Sequence, residues 1–136
     1  MYCWVEHTGE VELEIDSDSE HGVFIDALDA VRELLGEGDE AVAADPGQRV
    51  EKAISVAAAD RPRLLAAWLG ELAYLAESDG FVPRGVRELR VGAGVLDATI
   101  RGHLGDPPHL IKAVTYHRLT FEPHDGRWRA RVVLDV

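Results

Sequence analysis

Early in the chain, Val11, Leu13 and Ile15 alternate with Glu10, Glu12, Glu14 and Asp16. That period of two belongs to a strand with one face toward water. A shorter strand over residues 2–5 is expected before it, joined through His7-Thr8-Gly9. Ser17-Asp18-Ser19-Glu20 then supplies a capping serine and an early acid ahead of an apolar stripe at Phe24, Ala27, Leu28, Val31, Leu34 and Leu35. Steps of three and four mark an amphipathic helix, ended by Gly36. Residues 36–47, which are acidic, read as a loop with room for a turn of helix. Val50, Ile54, Val56 and Ala58 share a parity that Lys52 interrupts, and suggest another strand. Asp60 caps a second helix with Pro62 in its first turn, where a missing N–H is harmless. Its buried stripe is Leu65, Trp68, Leu69, Leu72, Leu75 and Ala76, and Gly80 lies near its end. Only strand patterns follow: Leu96, Ala98 and Ile100 alternate, residues 111–121 form a long β-branched run, and Trp128, Ala130, Val132 and Leu134 alternate behind a Pro123-His124-Asp125-Gly126 turn. These elements predict an α+β fold. It consists of mostly antiparallel β-sheet with two amphipathic helices packed on one face, in a single compact domain over residues 1–136.

Composition narrows the class. Of 136 residues, 46% are hydrophobic and 29% charged, which suits an ordinary globular protein. No apolar run approaches the roughly 20 residues of a bilayer span, and the first ten residues lack a signal-peptide layout. No membrane association and a cytoplasmic location are expected. Cys3 is the lone cysteine, which excludes an internal disulfide or a cysteine-based zinc site. The net charge of −11 is uneven: residues 1–60 hold 16 acids against Arg32, Arg49 and Lys52, a local −13, while the remainder carries +2. Because cations neutralising phosphates dominate nucleic-acid affinity, little direct RNA or DNA binding is expected from the acidic half. It suits a basic protein partner, a cation, or simply solubility.

No nucleophile elbow, phosphate-binding glycine loop or paired-histidine metal motif is present, and Gly92-Ala93-Gly94 lacks the strand–loop–helix context of a phosphate cradle. Among six scattered histidines, His7 sits at a strand-to-strand corner and His117 inside an apolar strand, where an imidazole needs a partner. Either could equally make a structural hydrogen bond. The last strand is more informative. Its outward parity ends on Asp135, one residue from the Val136 α-carboxylate, and two adjacent carboxylates close to a third form the hard-oxygen set that Ca²⁺ or Mg²⁺ prefers. Glu10, first of the outward acids after the His7 corner, is the candidate third. Simple solvation of a terminal carboxylate is the plainer alternative.

Several segments, in order, resemble the archease family. His7-Thr8-Gly9-Glu10-Val11 is similar to its His-Thr-Ala-Asp-Val signature, and residues 64–75 (LLAAWLGELAYL) to its central Leu-Leu…Trp-Leu-Asn-Glu-Leu-Leu-Tyr-Leu helix. Ile111-Lys112-Ala113-Val114-Thr115-Tyr116-His117 matches a family strand without change, and Gly126-Arg127-Trp128 with Val132-Val133-Leu134-Asp135-Val136 resembles its ending. The resemblance implies a non-catalytic activator of an RtcB-type RNA ligase, which joins tRNA exon halves using GTP and a divalent metal. It would promote ligase guanylylation and multiple turnover, meeting GTP and RNA only through the ligase. It also implies a divalent-cation site, Ca²⁺ before Mg²⁺, at the positions of Glu10, Asp135 and Val136; beside it, His7, Lys112 and His117 are candidates for functional support or for a purely structural role. Glu10 stands where the family has Asp, moving the carboxylate outward by about 1.5 Å, and Gly9 stands for Ala. Gly70 replaces an Asn in the helix interior, where glycine costs roughly 1 kcal/mol relative to alanine. Two other readings differ in kind. One is a metal-assisted phosphoesterase using the same acids with His7 or His117, for which no motif exists. The other is a chaperone-like or RNA-processing adaptor, whose basic patch would draw on Arg84, Arg87, Arg90, Arg127, Arg129 and Arg131.

Overall fold

The computed structural model describes residues 1–36 and 49–136, so the expected loop lies, beyond Gly36, outside the described residues. In chain order the elements are β1 (Tyr2–His7), β2 (Glu10–Ser17), α1 (Glu20–Leu34), β3 (Arg49–Ala57), α2 (Arg61–Asp79), β4 (Phe81–Val91), β5 (Val95–Leu104), β6 (Ala113–His124) and β7 (Arg127–Asp135). They form a four-stranded sheet ordered β1-β2-β7-β6 and a three-stranded sheet ordered β3-β5-β4. Every pairing is antiparallel. Each helix touches both sheets, α1 against β2 and β4, α2 against β6, β3 and β4. The α+β class is therefore as expected, with the helices on one face of each sheet. Hydrophobic periodicity gave no sign that the strands divide into two sheets.

Local chemistry sets the helix ends. The Ser19 hydroxyl accepts from the Gly22 N–H at 2.9 Å, and the Asp60 carboxylate accepts from the Arg63 N–H at 2.9 Å, so each helix has one orphan donor satisfied by its cap. Gly80 ends α2 in the left-handed region at φ 69°, and its N–H returns to the Ala76 carbonyl at 3.1 Å. A Cβ there would lie 2.2 Å from the Gly105 carbonyl oxygen, whose own N–H donates to the Gly80 carbonyl. Left-handed strain alone costs an L-residue about 1–2 kcal/mol, and the backbone clash adds to it. Gly80→Ala is expected to lower stability by more than about 2 kcal/mol, read as a shift in urea midpoint with the slope unchanged.

The inner faces close on one core. Leu13 and Ile15 of β2 face Val132 and Ala130 of β7 across the ladder, all four buried. Trp68 of α2 is fully buried, and its indole Nε1–H donates to the Phe24 carbonyl at 3.0 Å, joining α2 to α1.

Several expectations shift in detail. β4 follows no simple alternation because register irregularities at Pro83/Gly85 and Val86/Glu88 reset the parity twice, which hid it from periodicity. Lys52, the interruption in β3, donates to the Asp79 carboxylate at the end of α2 (2.9 Å), and this bond holds the Asp79 carboxyl below its usual range. β6 runs on through Pro123 and His124, leaving a two-residue Asp125-Gly126 turn. Both turn residues have positive φ (52° and 75°), which suits the twist of a tight hairpin. Gly92-Ala93-Gly94 is the β4–β5 turn, with the Gly92 N–H donating to the Val95 carbonyl at 2.8 Å.

Candidate metal centre

The outward face of the first sheet pairs an acidic stripe on β2 with a basic one on β7. Register sets Glu14 opposite Arg131 and Asp16 opposite Arg129. Arg131 reaches Glu12 at 3.4 Å and Glu14 at 3.7 Å, and Arg127 donates to Asp16 at 2.6 Å. The Arg127 guanidinium holds the Asp16 carboxyl below the usual carboxylate range. This ladder of opposite charges stops before Glu10. There β7 presents Asp135 instead, directly across from Glu10.

The same row extends over the whole sheet: His7 of β1 pairs with Glu10, and Ala113 of β6 pairs with Asp135. Gly9, at φ 74°, closes the Thr8-Gly9 turn that brings β1 back along β2. No atom lies within 4 Å of where its Cβ would be, so the backbone conformation rather than crowding favours glycine. The Val136 N–H donates to the Gly9 carbonyl at 3.4 Å, and the Lys112 N–H donates to the Asp135 carbonyl at 2.8 Å. Strand pairing thus gathers Glu10, Asp135 and Val136 at one corner, with the Lys112 main chain against it and exposed His7 at its rim.

Carboxylates directly opposed across an antiparallel pair have Cβ atoms about 4.5–5.5 Å apart and repel. Neither Glu10 nor Asp135 has a cationic partner among the described residues, and both are half-buried. Two hard anionic side chains next to main-chain oxygens fit a Ca²⁺-type ion, which accepts six to eight oxygens with variable carboxylate geometry. The longer reach of Glu is compatible with that tolerance. Among the described residues no three His, Cys, Asp or Glu side chains converge, so the side-chain contribution at this corner is two carboxylates.

Three expectations are corrected. His117 is not packed within an apolar strand: β6 leaves its register between Thr115 and Thr120, and His117 lies exposed in the resulting bulge. The six arginines considered for one basic patch divide between sheets, Arg84, Arg87 and Arg90 on β4 and Arg127, Arg129 and Arg131 on β7. The β7 set is moreover paired with acids. Glu12, assigned by alternation to a wet face, is only 3% exposed. Its partner Arg118 lies in the bulge, 3.3 Å away, with no sequence signal marking the contact.

Fold and row together define the class: a small α+β protein with facing carboxylates on the two central strands of an antiparallel sheet. A profile described as the Archease protein family (MTH1598/TM1083) matches residues 2–136. The chain is 32% identical to Protein archease of Methanopyrus kandleri, covering 97% of this chain and 96% of that one. It is 31% identical to Protein archease of Methanosarcina mazei, over 99% and 95%. Among solved structures, an archease from Thermotoga maritima, described as a possible chaperone, superposes with a TM-score of 0.67 at 21% identity, covering 100% of this chain and 98% of that one. Protein 1598 of Methanobacterium thermoautotrophicum gives the same score at 20% identity, over 99% and 98%. This chain belongs to the archease family.

Proposed function

We propose that the chain is a non-catalytic protein cofactor of an RtcB-type RNA ligase in tRNA splicing or RNA repair, acting in the cytoplasm. Family membership supports this reading of the partner, and the facing of Glu10 and Asp135 is the observation that supports the site. Glu10, Asp135 and a main-chain oxygen of Val136 would hold one divalent cation, Ca²⁺ in preference to Mg²⁺, which demands tighter octahedral geometry. When bound, the ion would supply positive charge at the end of this face, where an acid rather than an arginine stands opposite Glu10.

The rest follows from the chain's own residues. Asp135 is fixed from both sides, by β2 and by β6, so its carboxylate is presented at a constant place. Exposed Lys112, whose main chain is bonded to Asp135, offers an ammonium to a phosphate of the ligase-bound nucleotide. Exposed His7 lies across the row from Asp135, on the far side of Glu10. The chain's net charge of −11 opposes nucleic-acid binding, which leaves GTP and RNA to the ligase.

A multiple-turnover ligation assay with and without the protein tests this reading, alongside Ca²⁺ titration by calorimetry. Turnover beyond the first round only when the protein is present, with a single saturable Ca²⁺ site, supports it. Turnover unaffected by the protein sinks it. The Thermotoga maritima relative's description favours a second reading, a chaperone-like adaptor. Suppressed aggregation of an unfolding client without any effect on ligation would select that one.

A further inference from the structure

Glu12 poses a physical problem. It points to the outward side of the first sheet, where Glu14 and Asp16 are half-exposed, yet it is 3% exposed, and so is Val133, its neighbour across the ladder. The four residues 116–119 of β6 explain the cover. They drop out of register between Thr115 and Thr120, and Arg118 crosses β7 to place its Nη1 3.3 Å from Glu12 Oε1. Arg131 Nε stands 3.4 Å from Oε2 on the other side. Two guanidiniums therefore clamp one buried carboxylate.

The clamp has a conformational cost. Arg118 adopts φ 59°, left-handed backbone that a side-chain-bearing residue takes only when its surroundings insist. Glu12 Oε1 and Thr115 Oγ1 are also removed from solvent without a hydrogen bond of good geometry. Such a local concession is found where structure serves recognition more often than where it serves only packing. What the bulge gains is display. Tyr116 is 67% exposed, His117 is exposed beside it, and the bulge leaves the sheet two residue pairs beyond the Glu10–Asp135 row. Val5, opposite Glu12 on β1, and Val136 add exposed apolar surface around the same corner.

We propose that Glu12 is a positioning residue: held between Arg118 and Arg131, it keeps the bulge folded over β7 so that Tyr116 and His117, with the facing carboxylates, form one contact surface for a basic protein partner. An aromatic anchor set among apolar groups, on a chain of net charge −11, matches a protein surface carrying Arg or Lys around an apolar pocket. The same net charge disfavours an RNA backbone. The identity of the partner rests on the ligase reading above; the role of Glu12 does not.

Three variants separate the parts. Glu12→Gln removes the central charge. Arg118→Gly removes the guanidinium while keeping a residue at ease with φ 59°. Tyr116→Ala removes the anchor from a solvent-facing position. Amide hydrogen exchange over residues 116–119 should quicken by about tenfold or more in the first two variants and stay unchanged in the third. Ca²⁺ titration should be unaltered in Tyr116→Ala, whereas its stimulation of ligase turnover should fall by about tenfold or more. Unchanged exchange in both Glu12→Gln and Arg118→Gly overturns the positioning role. Full stimulation by Tyr116→Ala overturns the contact surface. A salt-dependent shift of labelled RNA by the protein alone, lost in Tyr116→Ala, overturns the choice of a protein partner. Wild-type protein that leaves the ligase unaffected overturns the ligase as that partner, while the exchange experiment still decides what Glu12 does.

Discussion

Replacing Asp135 by Asn should weaken Ca²⁺ binding at least about 100-fold and take ligase stimulation with it, and should slightly stabilise the metal-free protein. The sign of the stability change is the useful part. In the wild type, Asp135 faces Glu10 across the β2–β7 ladder with no cation from the described residues between them. Like charges so placed cost about 0.2–1 kcal/mol, and a neutral amide of the same shape removes that cost. Added Ca²⁺ should raise the wild-type melting temperature by linkage, since a ligand at a hundred times its Kd contributes about 2.7 kcal/mol. The variant should show little of that rise. Loss of an outer-shell group typically costs a metal site about 10–100-fold in affinity, so loss of a direct carboxylate donor should cost at least about 100-fold. Differential scanning calorimetry at several Ca²⁺ concentrations reads both effects. An equal Ca²⁺-dependent rise in wild type and Asp135→Asn places the ion elsewhere.

The largest loss of stability is expected at Trp68. Its side chain is fully buried in the layer that both sheets share, and its indole N–H is bonded to the Phe24 carbonyl. Trp68→Ala should cost about 3–5 kcal/mol, a large part of the roughly 5–15 kcal/mol that holds a domain folded. Trp68→Phe keeps much of the volume and should cost less, which separates cavity from hydrogen bond. Urea unfolding followed by far-UV circular dichroism gives both values. A cost for alanine below about 1.5 kcal/mol would mean that the helices are not packed against each other as described.

What could be read from the sequence was local or periodic. Ser19, Asp60, Pro62 and Gly80 mark their helix ends by their own side-chain chemistry, and all four act as expected. β2 and β7 show clean alternation because each has one face in the core, and that alternation placed Glu10 and Asp135 on the same outward side. What escaped depends on irregular backbone or distant contacts. β4 has two register shifts, so its apolar residues keep no single parity. Glu12 looks identical to Glu14 in sequence; only the left-handed turn at Arg118 buries it, and nothing local to either residue announces the contact. The assignment of His117 to a regular strand failed for the same reason, since a bulge of four residues leaves an apolar run looking continuous.

The position of β7 bears on the order in which the molecule assembles. It is the last strand along the chain, yet it sits between β2 and β6, and its Arg127 meets Asp16 across 111 positions of sequence. Until β7 inserts, β2 and β6 have no common neighbour and Glu10 has no opposing acid. Contacts of such long separation form late and slowly. A growing chain on the ribosome therefore carries Glu10 and Asp135 apart, and the two carboxylates meet only with the closing strand.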